Sequence, residues 1–142
     1  MQNKAVVVGA LGVIGRYIAE RLIEEADWQV VGLSRRKSSD GQRYRHIAVD
    51  LLDAEDTKHK LAGLTDVTHV FYAAFQATAG SASNFASNTG PNRDMLVNSV
   101  TAITRVAPRL KRVVLVTPEY GKSPQPEMLA KIFRFRVFQP PP

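Results

Sequence analysis

The 142-residue chain carries 19 Lys and Arg against 13 Asp and Glu, a net charge of +6, with 44% hydrophobic and 23% charged residues, the balance of an ordinary one-domain soluble globule. It has no cysteine, which excludes a disulfide framework and thiolate chemistry and makes a reducing cytoplasm the expected setting. No apolar run approaches the ~20 residues that span a bilayer, the N-terminus reads as a strand and not a signal peptide, and the scattered positive charges form no nucleic-acid module, which points to small anionic partners.

Ala5 to Val8 is a short apolar run of the kind found in a strand buried on both faces. Gly9, Gly12 and Gly15 follow at three-residue spacing, G-x-x-G-x-x-G, and a helical pattern starts among them. A strand that runs through glycines into a helix gathers bare N–H groups and the positive end of the helix dipole at one spot, which suits a pyrophosphate. Gly9 is expected to permit the turn, Gly12 to let phosphates approach the backbone, and Gly15 to let helix and strand pack closely. The intervening Leu11, Val13 and Ile14 join the candidate lining. Such a turn is also compatible with a purely structural role.

Ile14, Ile18 and Leu22, widened by Ala19 and Ile23, make a helical stripe that ends at Asp27-Trp28. Gln29 to Leu33 reads as a second strand. A polar loop and a third strand, Arg45 to Val49, come next. A short helix is expected within Ala54 to Leu64, capped by Asp53 and closed near Gly63. His69 to Ala74 reads as the fourth strand. Leu96, Val100, Ile103 and Ala107 repeat at helical spacing between Pro91 and Pro108, and Arg112 to Val116 is a valine-rich fifth strand. The pattern predicts an α/β fold, a Rossmann-type doubly wound parallel sheet of about five strands in the order 3-2-1-4-5. Its ligand crevice would lie at the carboxyl ends of the first and fourth strands.

Composition changes after Thr117. Six of the eight prolines fall between Pro118 and Pro142, where Phe133, Phe135 and Val137 alternate with Arg134 and Arg136. We therefore divide the chain into a nucleotide-binding unit, 1–117, and a Pro-rich, basic-aromatic tail, 118–142. An edge strand, a membrane-surface contact and a disordered segment all fit the tail. An exposed strand there would offer a second copy of the chain an edge to pair with.

At the end of the second strand such folds read the adenosine ribose: a carboxylate for NAD, an arginine for the 2′-phosphate of NADP. This chain has Ser34-Arg35-Arg36-Lys37 and no acidic residue until Asp40. Guanidinium groups hold phosphate through paired, charge-assisted hydrogen bonds, so NADP(H) is favoured over NAD(H). Asp50, after the third strand, fits either an acceptor for the adenine amino group, with Leu51 packing nearby, or a helix-capping or turn aspartate. Ala73 and Ala74, followed by Phe75, leave room for a cofactor. His46, His59 and His69 are not spaced as a metal pair, and no metal site is expected.

Taken together, GALGVIG (Gly9 to Gly15), GLSRR (Gly32 to Arg36), VDLLD (Val49 to Asp53), LTDVTHVFYAAF (Leu64 to Phe75), Asn92 and Asn98 with Met95 between them, and LKRVVLVT (Leu110 to Thr117) carry a resemblance. Over residues 3–117 the chain resembles the extended and atypical short-chain dehydrogenase/reductases, NAD-dependent epimerase/dehydratase-like proteins, and most of all the progesterone 5β-reductase and iridoid synthase group. The resemblance implies an NADPH-binding Rossmann fold and reduction of an enone, enal or carbonyl substrate by hydride. It also implies a lysine and a tyrosine that polarise the substrate oxygen.

The family's lysine stands just past the fifth strand in a T-G-x-K-x-Y type motif, with the tyrosine some tens of residues later. Here Thr117 is followed by Pro118-Glu119-Tyr120-Gly121-Lys122, and no tyrosine follows Tyr120. Tyr120 and Lys122 are the available stand-ins, and a loop tyrosine beside a surface lysine is the plainer reading. The chain is thus expected to stop short of the family's substrate-binding region. Two readings stay open: an NADPH-dependent reductase acting on a small molecule, alone or with a second chain, and a module that binds NADP(H) without turnover.

Overall fold

The computed structural model describes residues 2–37, 43–76, 85–116 and 136–138. Its elements are β1 (Asn3–Val8), α1 (Val13–Ile23), β2 (Trp28–Ser34), β3 (Arg45–Ala48), α2 (Ala54–Leu61), β4 (His69–Tyr72), α3 (Phe85–Val106), β5 (Arg112–Leu115) and β6 (Arg136–Phe138). The strands form one sheet in the order β3-β2-β1-β4-β5-β6. The first five are parallel, in the expected 3-2-1-4-5 order. The sixth pairs antiparallel with β5, Val114 opposite Val137, so three residues of the Pro-rich tail make one edge of the sheet.

β1 lies at the centre, with Val7 opposite both Gly32 of β2 and Phe71 of β4. Ala5 through Val8 are fully buried, which is why this strand is apolar without alternation: helices cover both of its faces. On one face Val6, Val8, Val31, Leu33 and Val70 pack with Leu61 of α2 and Met95 and Ile103 of α3. On the other, Val7 and Val30 meet Ala19, Ile18 and Leu22 of α1.

Asp53 caps α2, its carboxylate accepting the Asp56 N–H at 3.0 Å. β3, β4 and β5 end at Ala48, Tyr72 and Leu115, one or two residues before the expected Val49, Ala74 and Val116, and two helix boundaries differ further. α1 ends at Ile23, and Trp28, expected at the helix end, already opens β2. α3 starts at Phe85 and takes Pro91 into its interior, where Pro91 was expected to bound it. Proline removes one N–H and crowds the preceding turn. Downstream, however, Met95, Ser99, Ala102 and Ile103 form a buried stripe, and that packing outweighs the local cost. Among the described residues, no helix is long and apolar enough to cross a membrane.

Candidate functional site

The β1–α1 turn has a geometry that only glycine satisfies at two places. Gly9 has φ +83°, and a Cβ there would lie 2.8 Å from the Ala74 nitrogen. A Cβ on Gly15 would overlap the Gly9 carbonyl. Gly12 differs: its Cβ would approach only the Gly9 oxygen, at 3.3 Å, and otherwise meet open space. The turn is anchored to β2, since the N–H groups of Gly9 and Ala10 both donate to the Leu33 carbonyl, at 2.9 and 3.0 Å. Gly12 is the N-cap of α1 and supplies no side-chain acceptor, so the first-turn amides keep their donors for something else.

A cavity of about 310 Å³ opens at this turn, at the carboxyl ends of β1, β2 and β4, where the strand order reverses direction. Gly9, Leu11, Gly12, Val13 and Ile14 form one wall; Leu33, Ser34 and Arg35 close it at the end of β2. Val49 and Leu51 come from the segment after β3, and Ala73, Ala74, Phe75 and Gln76 from the segment after β4. Met95 of α3 lies beneath. Val13 is 80% exposed and Phe75 61%, large apolar side chains on the rim of a cavity, an arrangement typical of surfaces that a ligand covers. Among the described lining residues, Arg35 carries the one charge.

The structure thus brings most of the sequence candidates to one place. Gly15, Arg36 and Asp50 are not in the lining. Gly15 serves the contact of α1 with the turn. Arg36 presents its carbonyl to Ser34, whose hydroxyl donates to it at 2.6 Å. Of the two roles open to Asp50, the geometry provides the turn: its Oδ1 accepts the Leu52 N–H at 3.0 Å, and its own N–H donates to Asp56 Oδ2 at 3.1 Å. That backbone donor, with the Lys60 ammonium, holds the Asp56 carboxyl below its ordinary pKa. Tyr120 and Lys122 lie outside the described residues.

Gln76 was not singled out from the sequence, and Leu33, Val49 and Met95 entered only within the stretches that carry the family resemblance. Two asparagines of α3 explain how their segments are held. Asn98 Nδ2 donates to the Leu51 carbonyl at 2.8 Å. Asn92 takes the Gln76 N–H on Oδ1 and donates from Nδ2 to the Gln76 carbonyl, both at 2.8 Å. One helix therefore fastens the loops on both sides of the cavity. Tyr72 does not line it; its hydroxyl is buried with no hydrogen-bond partner among the described residues, and burial pushes its pKa up to about 12. Among the described residues, no three His, Asp or Glu side chains converge as metal ligands would.

The profile of the NAD dependent epimerase/dehydratase family matches residues 5–132. The chain is 35% identical over 123 residues to the 3-oxo-Delta(4,5)-steroid 5-beta-reductase of Arabidopsis thaliana, and 33% identical over 123 residues to an (S)-8-oxocitronellyl enol synthase of Nepeta cataria. Each alignment covers 82% of this chain and 31% of the relative, so the chain spans about a third of the length of these curated relatives. Among solved structures, the UDP-N-acetylglucosamine 4-epimerase from Bacillus cereus superposes with a TM-score of 0.63 at 21% identity, covering 88% of this chain and 42% of that one. The ligand-free aldohexose dehydrogenase of Thermoplasma acidophilum gives 0.63 at 20% identity, covering 82% and 49%. At those identities the superpositions speak for the fold alone.

Proposed function

Because the chain belongs to the NAD dependent epimerase/dehydratase family, whose members bind a nicotinamide dinucleotide, we propose that its crevice binds NADP(H) in preference to NAD(H). We further propose that it is the cofactor-binding part of a reductase acting on an activated carbon–carbon double bond or a carbonyl. One observation carries the cofactor choice: the glycine turn and Arg35 line the same cavity, and no carboxylate is among its described lining residues. The turn fits a pyrophosphate because Gly12 leaves open space where another residue would place a methyl and because no side chain caps the amides of α1.

In this reading the first-turn N–H groups of α1 receive the pyrophosphate and the Arg35 guanidinium holds the 2′-phosphate. Val49 and Leu51 offer the adenine an apolar wall. Ala73 and Ala74 are small enough to let the cofactor lie across the end of β4. When bound, NADPH supplies the hydride. The setting is a reducing cytoplasm, with which a cysteine-free chain is compatible. The binding unit is 1–117, with the tail offering β6 as an edge through which a second copy could pair; light scattering that stays monomeric at high concentration would remove that part.

A second reading, binding without turnover, is favoured by the run Pro118-Glu119-Tyr120-Gly121-Lys122, in which the family's lysine motif is not in place. Calorimetry with NADPH and NADH, followed by NADPH oxidation with a panel of enones, enals and aldehydes, tests both. Turnover that disappears in Tyr120→Phe refutes binding without turnover, and binding without turnover counts against a reductase that acts alone. If neither dinucleotide binds folded protein, the cofactor assignment itself is wrong.

A further inference from the structure

The loop that carries Arg35 is held from outside the crevice. Ser34 Oγ lies 2.6 Å from the Arg36 carbonyl and 2.7 Å from His46 Nε2. A hydroxyl has one proton. The carbonyl of Arg36 can only accept, so the Ser34 proton belongs to that contact. The short contact with His46 then requires a proton on Nε2, donated to the Ser34 oxygen. In the neutral imidazole this leaves Nδ1 unprotonated.

The sheet makes room for this ring. β3 runs parallel to β2 with His46 opposite Gly32 and Ala48 opposite Ser34, so His46 reaches forward by two residues along the same face. Gly32 lies beside it. A Cβ at Gly32 would stand 2.7 Å from Tyr44 Cε2 and 2.8 Å from Ala10 Cβ, too close for either, and 3.4 Å from His46 Cδ2, an ordinary contact. The His46 pKa is lowered, with burial as its cause; the ring is therefore neutral at pH 7 and has one N–H to place.

We infer that His46 is a positioning residue for cofactor discrimination: by donating from Nε2 to Ser34 Oγ it commits the Ser34 proton to the Arg36 carbonyl and closes the turn that holds Arg35 at the crevice. The inference rests on the proposed reading of Arg35 as the 2′-phosphate ligand. It also alters the role expected of Ser34. With its proton committed to a carbonyl, Ser34 shapes the turn and does not donate to the phosphate. Discrimination then falls to Arg35, a residue of the cavity lining, and His46 acts on it through two hydrogen bonds without touching the ligand.

The test compares NADPH and NADH affinities by calorimetry for the full chain and for His46→Leu and His46→Gln, with folding checked by circular dichroism. Glutamine presents an amide N–H at a reach close to that of Nε2. Loss of one positioning hydrogen bond is expected to weaken NADPH binding by roughly tenfold in His46→Leu, with NADH changed by less than about twofold, and His46→Gln is expected to restore most of the NADPH affinity. Equal weakening of both cofactors, or an unchanged preference in folded His46→Leu, overturns the inference alone. An unsubstituted protein that holds both cofactors equally overturns the reading of Arg35 and the inference with it. Should His46→Leu not fold, nitrogen NMR of the unsubstituted protein decides: an Nδ1–H tautomer for His46 at neutral pH overturns the inference, and an Nε2–H tautomer sustains it.

Discussion

The carbonyl of Gly9 occupies the place where a side chain on Gly15 would begin. The first turn of α1 therefore rests directly on the backbone of the preceding turn. Gly15→Ala must push the helix and the turn apart, and is expected to cost about 1–3 kcal/mol of stability, seen as a lowered thermal midpoint. Gly12→Ala should behave differently. Its φ of −72° and ψ of 165° suit any residue, and its one near neighbour is the Gly9 oxygen at 3.3 Å. We expect stability within about 0.5 kcal/mol of the parent but weakened binding of both dinucleotides, because the methyl stands where a pyrophosphate would approach. A Gly12→Ala protein that binds NADPH as tightly as the parent would rule out the phosphate at this turn.

Arg35 and Arg36 are neighbours in sequence with different surroundings, since Arg35 lines the crevice and Arg36 does not. Removing a charge-assisted hydrogen bond costs about 1.5–3 kcal/mol, so Arg35→Ala should weaken NADPH by roughly tenfold or more while leaving NADH nearly untouched. Arg36→Ala should have a smaller effect, limited to the long-range field of one exposed cation. Fluorescence titration of both variants with both cofactors measures this. Equal losses for NADPH and NADH in Arg35→Ala would remove the 2′-phosphate from this end of the crevice.

Asn92 and Asn98 make a structural prediction that needs no cofactor. Each occupies a half-buried position on α3 and satisfies backbone groups of a crevice loop, Asn92 at Gln76 and Asn98 at Leu51. Substituting alanine leaves those groups without their partner, at a cost of about 1–3 kcal/mol for each site. Hydrogen exchange distinguishes the two. In Asn92→Ala the Gln76 amide should exchange faster, whereas in Asn98→Ala, which removes only an acceptor's partner, that amide should keep its protection. Unchanged exchange at Gln76 in Asn92→Ala would mean that the loop is held by other contacts.

The strand order was legible because β1 is buried on both faces and so is apolar throughout, and because a parallel sheet requires helices between most strands. The Gly9 turn was legible for a similar reason: a positive φ and an overlap with backbone restrict the residue type. Side-chain direction was not. Asp50 and Ser34 each have a local backbone partner, the Leu52 N–H and the Arg36 carbonyl, and such short-range bonds compete with any ligand without leaving a mark in residue spacing. Pro91 misled for the opposite reason, since a local breaking signal was overridden by the buried stripe from Met95 to Ile103. Gln76 and Met95 reach the crevice through tertiary contacts, which spacing along the chain does not record.

Two partly buried histidines are expected to contribute to the response of the fold to mild acid. Burial lowers the pKa of His46, and burial together with the Lys111 and Arg112 charges lowers that of His69, both from 6.5. In each case the unfolded chain takes up the proton first as pH falls. Between the unfolded and folded values the unfolded state binds more protons, so stability rises with pH across that window. The stabilisation is complete above about pH 6.5 and is lost as pH falls through the lowered folded values. Asp56 and Asp66 are lowered from 3.8, so their contribution is lost only in stronger acid. Urea unfolding should therefore give a lower midpoint at pH 5.5 than at pH 7.5, well above the range where these carboxylates titrate. The double variant His46→Gln, His69→Gln should flatten that difference. A parent midpoint that does not move between the two pH values would mean that neither histidine is held neutral by the fold.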